Sequence, residues 1–136
     1  MLKTVISTFL AVLLLAATLF AADPPEKIKW LDYRQGMARG KQTGRTVMIY
    51  FYSDSCPSCT KMEQETWKDA RVVAALNSRY TPVKVNVNTE REVAGLYKVY
   101  YLPTTWFIKP DGKSYGSRSG YIPAEMLLKI LTYIPD

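Results

Sequence analysis

The chain has 136 residues, of which 48% are hydrophobic, and its 18 basic and 12 acidic side chains give a net charge of +6. This length allows one domain. Histidine is absent, which removes the commonest general base and metal ligand, and the basic residues are interleaved with acids rather than gathered in a stripe, which argues against a nucleic-acid partner.

The N-terminal segment is an apolar leader. A lysine precedes a long apolar run that ends at Ala22, and a polar, proline-containing stretch follows, as in an export signal peptide. Cleavage after Ala22 would place Phe20 where a small residue is preferred, and the run is long enough to span a bilayer core of roughly 30 Å. We therefore expect residues 1–22 to be a signal peptide or an N-terminal membrane anchor, and 23–136 to form an exported domain. No cysteine follows the run, so no lipoprotein-type anchor is expected there.

The rest of the chain alternates predicted helices and strands. In chain order the patterns predict a helix from Asp32 to Gly44, a strand at 45–53, a helical stretch at 56–79 that bends between Thr66 and Asp69, a strand at 80–88, a short helix at 89–99, a β-hairpin at 103–121 and a closing helix at 123–134. The segment RTVMIYFYS is apolar almost throughout, which favours a central strand covered on both faces. This order predicts an α/β fold, a central mixed β-sheet flanked by helices on both faces, with a C-terminal β-hairpin and helix. The closing helix is expected to bury one stripe, Met126, Leu127, Ile130 and Leu131.

The two cysteines, Cys56 and Cys59, have the spacing C-x-x-C, and three interpretations compete for them. A structural disulfide over so short a loop would constrain little of the unfolded chain. A zinc site usually takes four ligands, which this chain, with no other cysteine and no histidine, would have to share across a dimer. The third interpretation is a redox pair.

The position of the pair favours redox chemistry. Cys56 directly follows a predicted strand and precedes a helix, where unpaired backbone N–H groups and the helix dipole stabilise a thiolate. Pro57 suits the first helical position, because its φ is already helical. Cys59 lies one turn later on the same face, where it can attack a mixed disulfide on Cys56.

With these features the chain resembles the thioredoxin superfamily over nearly all of residues 28–133. The segment VYYLPTTWFI resembles the cis-proline loop of the family, with Pro103 at the start of a strand and Thr104 behind it. The spacing from VKVNVN to that proline also agrees, which places Lys84 at the position of a strand lysine of the family, and Gly120 falls at a family glycine. The WLDY start, DSCPSC, WKDARVVAALN and the leader are most similar to proteins related to the C-terminal domain of the bacterial transmembrane thiol:disulfide interchange reductase.

The resemblance implies a thioredoxin-like domain at 23–136 that acts as a thiol-disulfide oxidoreductase on partner proteins. It implies a periplasmic or otherwise extracytoplasmic monomer, a membrane redox partner, and no cofactor beyond the Cys56–Cys59 disulfide. Leu102, Pro103 and Thr104 would hold the partner backbone as an added strand. Tyr100 and Tyr101 either shape this docking groove or are exposed loop residues.

Two departures from the family matter for mechanism. Tyr50 stands where the family has a buried aspartate that assists proton transfer at the second cysteine, and a tyrosine with a pKa of about 10 is a poor base at neutral pH. Water, Lys84, Glu63 and Glu65 are then the alternatives. Ser58 stands where strongly oxidising members often carry histidine, which favours a reductant or a mid-potential carrier, although the direction of electron flow depends on small differences in potential.

Two other functions are compatible with this sequence. One is a thioredoxin-fold binding or chaperone-like module without redox turnover. The other is a dedicated redox protein that serves one client, as in cytochrome maturation.

Overall fold

The computed structural model describes residues 25–136, which form a four-stranded sheet flanked by five α-helices. The strands are β1 (Val47–Tyr52), β2 (Thr81–Asn86), β3 (Thr104–Ile108) and β4 (Ser114–Ser119). The helices are α1 (Tyr33–Thr43), α2 (Pro57–Gln64), α3 (Ala70–Arg79), α4 (Arg91–Leu96) and α5 (Ala124–Leu131), with a 3-10 turn at Thr66–Lys68. The predicted signal peptide or anchor at 1–22 lies outside the described residues. Over 25–136, no helix is long and apolar enough to cross a membrane.

The sheet is mixed, with strand order β2-β1-β3-β4. Strand β1 is parallel to β2 and antiparallel to β3, and β4 is antiparallel to β3. This arrangement confirms the predicted fold. It also brings the end of β1, the end of β2 and the start of β3 to one edge of the sheet, because Tyr52 pairs with Asn86 and Phe51 with Thr104.

Strand β1 is buried on both faces, as its sequence predicts. Met48 and Tyr50 belong to a core cluster that includes side chains of α2, α3 and α5. Val47, Ile49 and Phe51 belong to a second cluster, against which side chains of α1 and α4 pack. An alternation of inward and outward residues is absent from this strand because helices cover both sides of the sheet.

The predicted bend after the cysteine helix is present. Helix α2 ends at Gln64, the 3-10 turn follows, and Asp69 caps α3 by accepting a hydrogen bond from the backbone N–H of Arg71 at 2.9 Å. The Thr66 hydroxyl is buried and donates to the carbonyl of Ile122 at 2.6 Å. The bend therefore positions α3 and the segment that precedes α5.

The predicted burial of Met126 is wrong. This side chain is 40% exposed, whereas Leu127 and Leu131 are buried. Successive residues of a helix are rotated by about 100°, so Met126 lies beside the buried stripe rather than in it. Its sulfur instead accepts a hydrogen bond from the Arg118 guanidinium at 3.4 Å.

Candidate active site

Cys56 lies at the N-terminus of α2, where the chain leaves β1. It is the N-cap residue of the helix, with extended backbone, and Pro57 occupies the first helical turn. The backbone N–H of Cys59 donates to the Cys56 Sγ at 3.2 Å. A sulfur in this position is directed at the unpaired N–H groups of a helix start, which favour its thiolate form.

The two cysteines differ in exposure. Cys56 is partly exposed and Ser58 is exposed, whereas Cys59 is 1% exposed. The structure joins Cys56 and Cys59 in a disulfide, with their Cα atoms 5.2 Å apart. A partner protein can therefore reach Cys56 from solvent. Cys59 is shielded from solvent and is bonded to Cys56 in the disulfide.

Tyr50 lies directly beneath the buried cysteine. Its hydroxyl donates to the Cys59 carbonyl at 3.3 Å, and its side chain is fully buried. The ring stacks on Tyr52, with centroids 5.6 Å apart, and contacts Trp67 edge to face at 5.1 Å. Burial, reinforced by the negative charge of Glu63, raises the pKa of Tyr50. The hydroxyl therefore stays protonated at neutral pH and acts as a donor.

An ion pair lies next to this tyrosine. Lys84 is opposite Tyr50 in the β1–β2 register, and its Nζ is 2.9 Å from Oε1 of Glu63. The Lys84 ammonium also lies over the Tyr52 ring, 4.2 Å from its centroid. Because Glu63 is one turn after Cys59 on α2, its carboxylate is on the same side of the helix as that cysteine.

Glu65 has a different partner. Its carboxylate accepts a hydrogen bond from the hydroxyl of Tyr121, which precedes α5. The two glutamates that the sequence left as alternatives are thus separated by the fold. Glu63 lies with Lys84 and Tyr50, and Glu65 faces the C-terminal segment.

The loop before β3 contains the cis Leu102–Pro103 peptide bond that the resemblance implied. Pro103 is buried, and the Thr104 hydroxyl donates to the carbonyl of Tyr101 at 2.7 Å. The backbone N–H of Gly120 donates to the carbonyl of Pro103, also at 2.7 Å. Gly120 has a φ of 91°, a conformation that side-chain-bearing residues rarely adopt. This glycine therefore ties the end of β4 to the proline loop.

Two tyrosines in this loop project into solvent. Tyr100 is 82% exposed and Tyr101 is 73% exposed, whereas Leu102 is partly buried. Phe51, near the end of β1, pairs with Thr104, the first residue of β3. The loop before β3 therefore lies at the end of the sheet from which the chain continues to Cys56. The structure thus places the predicted docking residues and the cysteines at the same end of the sheet.

Sequence reasoning missed one contact that orders the segment before Cys56. The side-chain amide of Asn86, at the end of β2, donates to the Asp54 carboxylate at 3.2 Å. Glu90 accepts from the backbone N–H of Asn86 at 3.2 Å. The sequence shows that a charged residue, Asp54, precedes the cysteines. Only the register between β1 and β2 shows that Asn86 is its partner.

Metal binding has no support in the part of the chain that is described. Over 25–136, no group of three or more histidine, cysteine, aspartate or glutamate residues could hold a metal ion. The arrangement of an accessible sulfur, a buried sulfur and a neighbouring strand-start loop fits disulfide exchange with another polypeptide.

The chain is similar to a known protein family and to several curated proteins. A family model described as a thioredoxin-like domain matches residues 33–135. The thiol:disulfide interchange protein DsbD of Pseudoalteromonas atlantica is 34% identical over 98 residues, which are 68% of this chain and 17% of that protein. A thioredoxin of Mycoplasmoides gallisepticum is 32% identical over 89 residues, 65% of this chain and 84% of that protein. The match thus spans about a sixth of the full length of that DsbD protein.

Solved structures agree with this match. A thioredoxin from Thermus thermophilus superposes with a TM-score of 0.71 and 30% identity, covering 79% of this chain and 87% of that one. The C-terminal domain of Neisseria meningitidis DsbD in its oxidised form superposes with a TM-score of 0.64 and 18% identity, covering 74% and 90%. The second comparison shows a shared fold.

Proposed function

The chain belongs to the thioredoxin-like family of thiol-disulfide oxidoreductases, and from this premise we propose that it is an exported member that exchanges disulfides with partner proteins through Cys56 and Cys59. One observation carries the proposal. Cys56, which is partly exposed, lies at a helix N-terminus, whereas Cys59, one turn later, is buried. Such an asymmetric pair suits a nucleophile and a resolving thiol.

In the reducing direction, both cysteines begin as thiols or thiolates. The Cys56 thiolate attacks one sulfur of a partner disulfide, which forms the mixed disulfide and releases the other partner sulfur as a thiolate. The Cys59 thiolate then attacks the Cys56 sulfur, which breaks the mixed disulfide and releases, as a thiolate, the partner sulfur that was bonded to Cys56. The partner gains two electrons, and the Cys56–Cys59 disulfide is the oxidised product. The reverse sequence oxidises a partner dithiol.

Cys59 must lose its proton before it attacks. Tyr50 does not suit this role, because the raised pKa keeps its hydroxyl protonated and that hydroxyl donates to the Cys59 carbonyl. Glu65 is bound by Tyr121. Glu63 lies one turn from Cys59 and is held by Lys84. We assign proton acceptance from Cys59 to the Glu63 carboxylate, directly or through water.

Partner binding is assigned to the loop before β3. Tyr101, Leu102, Pro103 and Thr104 would hold an extended partner segment beside Cys56, since backbone groups at a strand start can pair with an added strand. The hydrogen bonds from Thr104 and Gly120 fix the loop in place. The exposure of Tyr101 leaves its ring free to contact the partner's side chains.

The leader supports an extracytoplasmic location. Residues 1–22 have the pattern of an export signal or anchor, which would place the domain with clients that form disulfides. A membrane redox partner would exchange electrons with Cys56. Ser58, rather than histidine, between the cysteines favours a reductant or a mid-potential carrier.

Insulin reduction tests this function. The wild type should accelerate precipitation of insulin by dithiothreitol, and Cys56→Ser should abolish the acceleration. Ser117→Ala, an exposed change on β4, is the matched control and should retain it. A wild type that neither reduces insulin nor trades disulfides with any thiol would contradict the proposal and support a binding module without turnover.

A further inference from the structure

Basic side chains gather at the end of the domain opposite Cys56. Strand β1 begins at this end and runs toward Cys56, and α1, which precedes β1, ends here. The turn between β3 and β4 also lies at this end, because Ile108 at the end of β3 pairs with Val47 at the start of β1. We define the basic pole by the side chains that these elements bring together, Lys29, Arg39, Lys41, Arg45, Lys109 and Lys113. Three of them, Lys29, Arg39 and Arg45, line one cleft of about 90 Å³.

Acids do not balance this surface. Over the described residues, Lys29 pairs with Glu26 at 3.5 Å and the nearby Arg79 with Asp136 at 2.9 Å, and no ion pair is found for Arg39, Lys41 or Arg45. Lys27 and Arg79 lie next to the basic pole, so this end of the domain has eight basic side chains against three acids, Glu26, Asp111 and Asp136. Most of the net charge of +6 therefore lies at this end.

The described chain also enters the domain at this pole. Leu31 pairs with Val83 in parallel, so the segment before it starts at the same end as β2. The backbone N–H of Lys29 donates to the Asn77 side chain near the end of α3 at 2.9 Å. Ala22, the last residue of the apolar run, is three residues before Pro25, and three residues of chain reach at most about 11 Å. The apolar run therefore ends three residues before the point at which the described chain begins, beside the basic pole.

We propose that the basic pole lies against the anionic headgroups of phospholipids, with Cys56 directed away from the membrane. Lysine and arginine side chains are attracted to such headgroups over a Debye length, and the proposal applies to the leader retained as an anchor, the second of the two predictions for residues 1–22. A soluble partner bound at this pole would be separated from Cys56 by the length of β1, about 20 Å for six residues. Contact between the basic pole and a lipid surface leaves Cys56 free to meet partner proteins. This contact does not require redox turnover.

Paramagnetic broadening in nanodiscs tests the orientation. The full chain, made by cell-free synthesis so that the leader is retained, is inserted into discs that carry a lipid with a nitroxide on its headgroup. In discs containing phosphatidylglycerol, amides of residues 41–45 and 109–113 should lose several-fold more intensity than those of 53–58. In phosphatidylcholine discs, or at high salt, this difference should shrink, because the attraction is electrostatic.

A charge-matched pair of variants isolates the pole. Arg39→Glu/Lys41→Glu/Lys113→Glu should abolish the contrast, whereas Arg34→Glu/Arg91→Glu/Lys98→Glu, exposed changes away from the pole, should preserve it. A dispersed amide spectrum checks that each variant is folded, and the salt series on the wild type tests the same attraction without a substitution. Equal broadening at both ends in anionic discs, or equal loss in both variants, would overturn the proposal. A failure of insulin reduction alone would overturn the proposed function and leave this orientation in place.

Discussion

The Tyr50 hydroxyl donates a hydrogen bond to the backbone carbonyl of Cys59 at 3.3 Å. The residue that the family resemblance aligns with a buried aspartate thus contacts the backbone of Cys59, the cysteine to which we assign the resolving role. Tyr50 fixes the first turn of α2 against β1, and the charged groups at the site come from Glu63 and Lys84. In the proposed mechanism, support of the cysteine helix therefore falls to Tyr50, and acceptance of the proton from Cys59 falls to Glu63.

Tyr50→Phe should keep the ring packing and lose this hydrogen bond. We expect the free energy of unfolding to fall by about 1 kcal/mol, with insulin reduction and its pH profile at neutral pH retained, because the hydroxyl is not a base. Urea unfolding and insulin turnover measure the two effects. Tyr80→Phe is the matched control, since the Tyr80 hydroxyl bonds the carbonyls of Leu131 and Ile134 away from the cysteines. A Tyr50→Phe profile that shifts near neutral pH would show that the hydroxyl takes part in proton transfer.

Glu63→Gln should slow resolution of the mixed disulfide. Loss of a general base typically costs about a hundredfold, and the remaining rate should rise with pH as hydroxide or water takes the proton. Stopped-flow measurement of partner release across a pH series reports this step. Glu65→Gln is the matched control, because Glu65 is held by Tyr121 on another side of the helix, and its rate should stay close to wild type. Equal slowing in both variants would refute the assignment of Glu63.

Cys59→Ala should trap the mixed disulfide. Without the resolving sulfur, Cys56 remains joined to the partner, so adducts that disappear on reduction should accumulate on non-reducing gels. Cys56→Ser/Cys59→Ala is the control and should show none. Mass spectrometry of the adducts then distinguishes a general oxidoreductase, with many clients, from a dedicated protein with one. An absence of adducts in Cys59→Ala would count against the resolving role.

Asp69→Ala should destabilise the protein in a pH-dependent way. Hydrogen bonds from Arg71 lower the pKa of the Asp69 carboxyl to about 2. Because this folded pKa is below the usual value, the cap contributes stability above about pH 4 and loses it as the pH falls toward 2. We expect a cost of about 1 kcal/mol at neutral pH, shrinking in acid. Urea unfolding across that range measures it. Asp69→Ser, which keeps a capping oxygen without the charge, should retain most of the stability and show less pH dependence, whereas a cost of Asp69→Ala that is constant down to pH 2 would contradict the capping account.

Gly120→Ala should loosen the proline loop. Its φ of 91° costs a side-chain-bearing residue roughly 1–2 kcal/mol, and a shift there would weaken the hydrogen bond to Pro103. We expect lower stability and a KM for a protein substrate that rises more than kcat falls. Gly95→Ala in α4, with open space around the added carbon, is the matched control and should be neutral or stabilising by about 0.5–1 kcal/mol. Unchanged KM in a folded Gly120→Ala protein would remove the loop from partner binding.

Some features were predictable because they depend on neighbours in the chain. A strand that ends a few residues before C-P-S-C predicts a cysteine at a helix start, since proline suits that turn. An aspartate before AR predicts the cap that begins α3. Continuous apolar residues in β1 predicted cover on both faces. The stripe of α5 was predicted less well, because periodicity gives the direction of a helix face but not its width, and Met126 lies just outside it.

The sequence alone therefore determined the order of the elements and the asymmetric placement of Cys56 and Cys59, since each follows from residues within a few positions of one another. It also determined the family resemblance, which rests on several short motifs and on their spacing along the chain. Only the tertiary structure decided which glutamate lies beside the resolving cysteine, what Tyr50 binds, and where the scattered lysines and arginines meet. Those relationships join residues that are far apart in the chain, and their distances depend on strand register and helix packing, which no local pattern specifies.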